Sequence, residues 1–111
     1  MPPVTDELLQ QMTDVIVKAV KPRQVILFGS RATGSASIAS DVDLLVVVDG
    51  PFGPQNSRRC LMAHLSRLLA HLPVAQDILL YTSDEVEHWR GSLNHVIGRA
   101  LREGKLLYER A

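Results

Sequence analysis

Two clusters in this 111-residue chain combine residue types suited to phosphate and metal chemistry. Gly29-Ser30-Arg31 follows the apolar run Val25-Ile26-Leu27-Phe28, and Asp41-Val42-Asp43 opens the run Leu44-Leu45-Val46-Val47-Val48. The first run is too short for a helix and stops at a Gly-Ser pair, so it reads as a buried strand opening into a turn. A helix starting at Ser30 would aim its free N–H groups and the serine hydroxyl at that turn, where the dipole favours an anion such as phosphate. Arg31 adds a guanidinium fork beside it. In the second run the period of two puts Asp41 and Asp43 on one face, roughly 7 Å apart along the strand. Val42, Leu44, Val46 and Val48 take the opposite face. Two carboxylates about 6 Å apart repel by roughly 3 kcal/mol at an effective dielectric of about 20, which a cation or a proton relieves. Hard oxygen ligands at neighbouring positions suit magnesium, which is usually completed by substrate phosphates.

A third carboxylate, Asp77, is embedded in Val74-Ala75-Gln76-Asp77-Ile78-Leu79-Leu80-Tyr81. A charge inside such a run marks either an edge strand with its carboxylate in water or a further metal ligand. The histidines point elsewhere. His64 and His71 are seven apart, as are His88 and His95, whereas zinc pairs on one helix prefer a spacing of three or four. They are expected to be solvated, with Cys60 and Met62 in packing roles.

The surrounding elements follow from periodicity and punctuation. Thr5 precedes Asp6 and Glu7, and Leu8, Leu9, Met12, Val15, Ile16, Ala19 and Val20 recur at helical spacing, which predicts a helix over residues 5–20 that ends before Pro22. Residues 32–40 are small and polar and predict a helical turn and a surface loop. Residues 49–56, rich in glycine and proline, predict a mobile loop. Leu61, Leu65, Leu68, Leu69 and Leu72 predict an amphipathic helix over 57–72 that Pro73 breaks. Thr82 and Glu85 have the spacing of a capping box for a short helix ending near Trp89. Leu93, Val96, Ile97, Ala100 and Leu101 predict a last helix closed by Gly104, and residues 105–109 a terminal strand or extended tail.

The totals bound the rest. A chain of 111 residues is expected to be one domain over residues 1–111, able to bury about two-thirds of its unfolded surface without staples. Twelve basic residues balance twelve acidic ones, so no net field draws the protein to nucleic acid or membrane. The single Cys60 excludes an internal disulfide, and no targeting leader is expected. The longest apolar runs fall far short of a membrane span, and a cytoplasmic location is the expectation.

An apolar strand, Gly-Ser, a spacer of about ten residues and Asp-x-Asp in a second strand resemble the signature of the nucleotidyltransferase superfamily that includes DNA polymerase beta. The stretches Gly29-Ser30-Arg31-Ala32-Thr33-Gly34 and Ser40-Asp41-Val42-Asp43-Leu44-Leu45-Val46, with the ending Arg99 to Glu109, are similar to the minimal nucleotidyltransferases. The resemblance implies an α/β (α+β) domain, a small mixed sheet of strands at 24–28, 42–48 and 76–81 with helices packed mainly on one face and the site on the open face. It implies transfer of a nucleoside monophosphate, AMP from ATP, to a hydroxyl. Gly29, Ser30 and Arg31 would hold the triphosphate, and Asp41, Asp43 and Asp77 would bind two magnesium ions. It further implies a small helical HEPN-type toxin as partner, silenced by adenylylation of a tyrosine, with this chain as antitoxin. A binding module that neutralises its partner without catalysis, and transfer to a small molecule, are the alternatives.

Overall fold

The computed structural model describes residues 5–29, 32, 41–54 and 56–110. Helix α1 (Asp6–Val20) begins where Thr5 Oγ1 accepts from Leu8 N at 3.1 Å, and Asp6 and Glu7 sit in the first turn, where the dipole favours negative charge. It ends at Lys21 in the left-handed region, whose N–H bonds Val17 O. Strand β1 (Gln24–Phe28) follows directly. Then come β2 (Val42–Val48), α2 (Arg58–Leu69), β3 (Gln76–Thr82), α3 (Ser83–Trp89), α4 (Val96–Glu103) and β4 (Lys105–Glu109).

The four strands form one mixed sheet in the order β3-β2-β1-β4. β1 pairs antiparallel with β2 and with β4, and β2 pairs parallel with β3. Among the described residues the predicted strands and helices are present, while the helical turn and loop expected over residues 32–40 lie, apart from Ala32, outside the described residues. Residues 105–109 are a paired edge strand rather than a loose tail.

The sheet buries both of its faces. Leu9, Met12 and Ile16 of α1 and Leu65 and Leu69 of α2 pack on Val25, Leu27, Val42, Leu44, Val46, Val48, Ile78 and Leu80. On the other side Val86 of α3 and Ile97 and Ala100 of α4 cover Ile26, Leu45 and Val47. Each fully buried aliphatic side chain contributes about 1.5–3 kcal/mol. The two longer helices therefore lie on one face. The two short ones close part of the face expected to be open, and Asp43 is not among the residues of this second core.

Three local details depart from the sequence expectations. α2 stops at Leu69, where the Gln76 side chain donates to the Leu69 carbonyl at 2.9 Å, and Leu72 is buried in the following turn. α4 begins only at Val96, so Leu93 lies outside it and is exposed. Cys60 is exposed rather than packed. Gly104 closes α4 as expected, but with φ −77°; what requires glycine there is space, since a side chain would collide with Ala100 O and Ile26. The loop after β2 is tied down by Asp49, which pairs with Arg110 and Arg23, and by Phe52 beneath the Arg58 guanidinium at 4.9 Å.

Candidate active site

Parallel pairing of β2 with β3 sets Asp43 opposite Asp77, and antiparallel pairing of β2 with β1 sets Asp43 opposite Phe28. Residues directly opposite on paired strands project to the same face. One transverse row of the sheet thus reads Asp77, Asp43, Phe28, with Gly29 immediately after Phe28 and Asp41 just before β2. Val42, Leu44, Val46 and Val48 point into the first core, as the alternation predicted.

Asp77 stands on an edge strand and is exposed, while Asp43 is half-buried. Asp77 is thus an edge-strand carboxylate in water, and strand register sets it beside Asp43. Burial, then the charge of Asp77, then that of Asp41, push the Asp43 carboxyl above the ordinary aspartate value. Asp77 and Asp41 are therefore close enough to Asp43 for their charges to act on it. Among the described residues no group of three or more histidine, cysteine, aspartate or glutamate side chains is drawn into a ready-made metal cluster.

Gly29 has φ +73°, a conformation that non-glycine residues rarely adopt. The space its side chain would occupy is filled by the Asp43 carboxylate, whose Oδ2 a Cβ would strike. The glycine turn and the aspartate strand, separate in sequence, thus meet in direct contact. Ala32 N bonds back to Gly29 O at 3.1 Å, a tight turn after β1. Ser30 and Arg31, the other two members of the expected phosphate turn, lie outside the described residues.

Beside Gly29 a cavity of about 250 Å³ is lined by Phe28, Gly29, Asn94, Val96, Arg99 and Glu103. Phe28 and Gly29 come from the first motif and Arg99 and Glu103 from the Arg99–Glu109 ending, while Asn94 belongs to neither; the packing of α4 on the sheet assembles them. Two cavities of about 390 and 400 Å³ open at the other end of the strands, beside Arg23 with Glu109 and beside Phe52 with Asn56. The charged groups there are largely engaged with one another, Arg23 and Arg110 with Asp49 and Arg90 with Glu87.

The histidines stay out of this site, as expected, but not all are solvated. His71 and His88 are exposed and His64 is half-buried. His95 caps α4, its Nδ1 accepting from Ile97 N at 3.1 Å. Its ring stacks on Trp89 with centroids 4.1 Å apart. A capping imidazole was not legible because histidine is not among the usual N-cap residues.

The comparisons agree with this fold. A candidate nucleotidyltransferase from Sulfolobus solfataricus superposes with a TM-score of 0.63 at 18% identity, over 94% of this chain and 79% of that one. A toxin–antitoxin structure with AMP-PNP superposes with a TM-score of 0.57 at 19% identity, over 91% and 73%. At such identities the likeness establishes the fold. A comparison with curated proteins finds no significant match. The family profile described as polymerase beta, nucleotidyltransferase matches residues 10–111, and on that match the chain belongs to the polymerase beta nucleotidyltransferase family.

Proposed function

We propose that this protein transfers AMP from ATP to a hydroxyl and releases pyrophosphate, acting on a tyrosine of a HEPN-type toxin partner as its antitoxin. The observation that carries the reading is the meeting of Asp43 with Asp77 across paired strands and with Gly29 across the turn. The likeness to a toxin–antitoxin structure with AMP-PNP supports the choice of nucleotide and partner. The exposed, ATP-rich setting this requires is the cytoplasm, and among the described residues no helix is long and apolar enough to cross a membrane.

Asp41, Asp43 and Asp77 are the metal residues in this reading. Their fit rests on the donor set: three hard oxygen donors suit a divalent cation, and burial, Asp77 and Asp41 already disfavour the bare charge of Asp43. Magnesium, when bound, neutralises the triphosphate charge and lowers the pKa of the attacking hydroxyl. Gly29 keeps the turn free of a side chain so that Asp43 and the triphosphate can both approach it, and Ser30 and Arg31 contribute a hydroxyl and a guanidinium to the phosphates. Asp77, facing water on the edge strand, orients the acceptor hydroxyl. The new bond joins that oxygen to the α-phosphorus, the bond to pyrophosphate breaks, and the hydroxyl proton passes to solvent.

Co-expression with a HEPN-type partner followed by mass spectrometry tests this. A mass increase of one AMP on a partner tyrosine, lost with Asp43→Asn, supports the proposal. An unmodified partner neutralised equally by the wild type and by Asp43→Asn would leave a non-catalytic binding module instead.

A further inference from the structure

The cavity beside Gly29 has features that distinguish it from a phosphate site. Arg99 faces Glu103 at 4.0 Å, so its guanidinium is offset by a carboxylate on the same wall. Phe28 and Val96 supply apolar surface, and Asn94 supplies an amide with both donors and an acceptor. A charge-balanced, half-apolar cavity suits a neutral ring better than a polyphosphate. At about 250 Å³ it is smaller than the 300–1,000 Å³ typical of sites for whole drug-sized ligands, which limits it to one ring system.

Its position is equally directional. In the row Asp77, Asp43, Phe28, the cavity adjoins Phe28 and Gly29, on the opposite side of Asp43 from Asp77. A group seated there lies on the phosphate-turn side of the site, away from the edge strand. The segment that presents Asn94 is also fixed. Arg102 donates to the carbonyls of Ser92 and Leu93, both at 3.2 Å, and His95 is held as the cap of α4 and by stacking on Trp89. Gly98 carries no side chain where the Ser92 carbonyl crosses α4. Asn94 is thus held from both sides before any ligand arrives, and preorganisation of this kind lowers the ordering cost of binding.

We infer that this cavity takes the base of the donor nucleoside triphosphate, with Phe28 and Val96 against the ring and the Asn94 amide reading its edge. The inference rests on the nucleotidyl-transfer reading above. An amide pairs its acceptor and donor with N6 and N7 of adenine, so the base selected is adenine.

Calorimetric titration of the magnesium-supplemented protein with ATP, CTP and inorganic tripolyphosphate tests it, in the wild type, Asn94→Ala and Phe28→Leu. Asn94 is exposed, so its truncation leaves the core intact. Expected is an ATP affinity about fivefold or more weaker in Asn94→Ala, with the ATP preference over CTP narrowed. Phe28→Leu should weaken both nucleotides. Tripolyphosphate should bind all three proteins alike. Unchanged ATP affinity in both variants, with tripolyphosphate still bound, overturns the base pocket and leaves the transfer reading standing. Tripolyphosphate lost in Asn94→Ala overturns it too, by placing the tail in the cavity. A wild type that binds neither ATP nor tripolyphosphate sinks both readings.

Discussion

The Asp43 carboxylate lies where a side chain on residue 29 would have to go. The turn and the metal-type strand therefore constrain one another, and the smallest possible change at Gly29 tests the contact. Gly29→Ala must place a Cβ against Asp43 Oδ2 and hold φ at +73°. A left-handed alanine alone costs about 1–2 kcal/mol. Urea unfolding should show at least that loss, together with weakened nucleotide binding. Gly91→Ala is the control: nothing lies within 4 Å of its Cβ, and it should unfold like the wild type.

The charge row gives a prediction of the opposite sign. With Asp43 pushed up by burial, Asp77 and Asp41, Asp43→Asn should abolish transfer while stabilising the metal-free protein, by about 0.5–1 kcal/mol given the screening at exposed Asp77. Magnesium should raise the melting temperature of the wild type and raise that of Asp43→Asn less. Asp77→Asn should impair transfer more than triphosphate binding. Equal magnesium stabilisation of the wild type and Asp43→Asn would remove Asp43 from the metal set.

Much of this site was readable because it depends on local rules. The apolar run after Asp43 fixes a strand, the period of two fixes the face of Asp43, and a glycine at the end of β1 marks a turn. What joins Asp43 to Asp77 is strand register, and register depends on packing between segments over thirty residues apart. The second covered face had a signal of its own. Leu44 through Val48 are all buried, and an unbroken apolar run is the mark of a strand covered on both sides. The cavity residue Asn94 had no such signal, because nothing short of the docking of α4 brings it to Phe28.

Glu85 links the far end of the sheet to the loop after β2, and its ionisation is the acid-sensitive part of that link. Burial raises its pKa, but hydrogen bonds from Arg58 and from the Thr82 N–H outweigh it and leave Glu85 below the ordinary glutamate value. The unfolded chain therefore takes up the proton first. The stabilisation is complete above the unfolded glutamate pKa and is lost as pH falls through the lower folded value. Glu85→Gln keeps an acceptor for the capping box with Thr82 but removes the charge facing Arg58. It should unfold with a shallower loss of stability on acidification, differing from the wild type near neutrality by up to about 1 kcal/mol, the range of a solvent-accessible pair. Parallel acid limbs for the two proteins would contradict the assignment.

His95 offers a test in which an unusual cap is separated from the ring contact beside it. Its Nδ1 accepts from Ile97 N, so it satisfies one of the free N–H groups of α4, and its ring also stacks on Trp89 and meets Tyr81 edge-on at 6.2 Å. Asparagine is a strong N-cap without an aromatic ring, and alanine supplies neither function. His95→Ala should lose about 1 kcal/mol for the cap and about 0.5–1.5 kcal/mol more for the stacked pair. His95→Asn should recover the first part only. Because the same residue fixes the segment carrying Asn94, both variants should be compared by chemical denaturation and by ATP titration. Stability that falls equally in the two variants would mean the cap contributes nothing and the ring contact carries the whole effect.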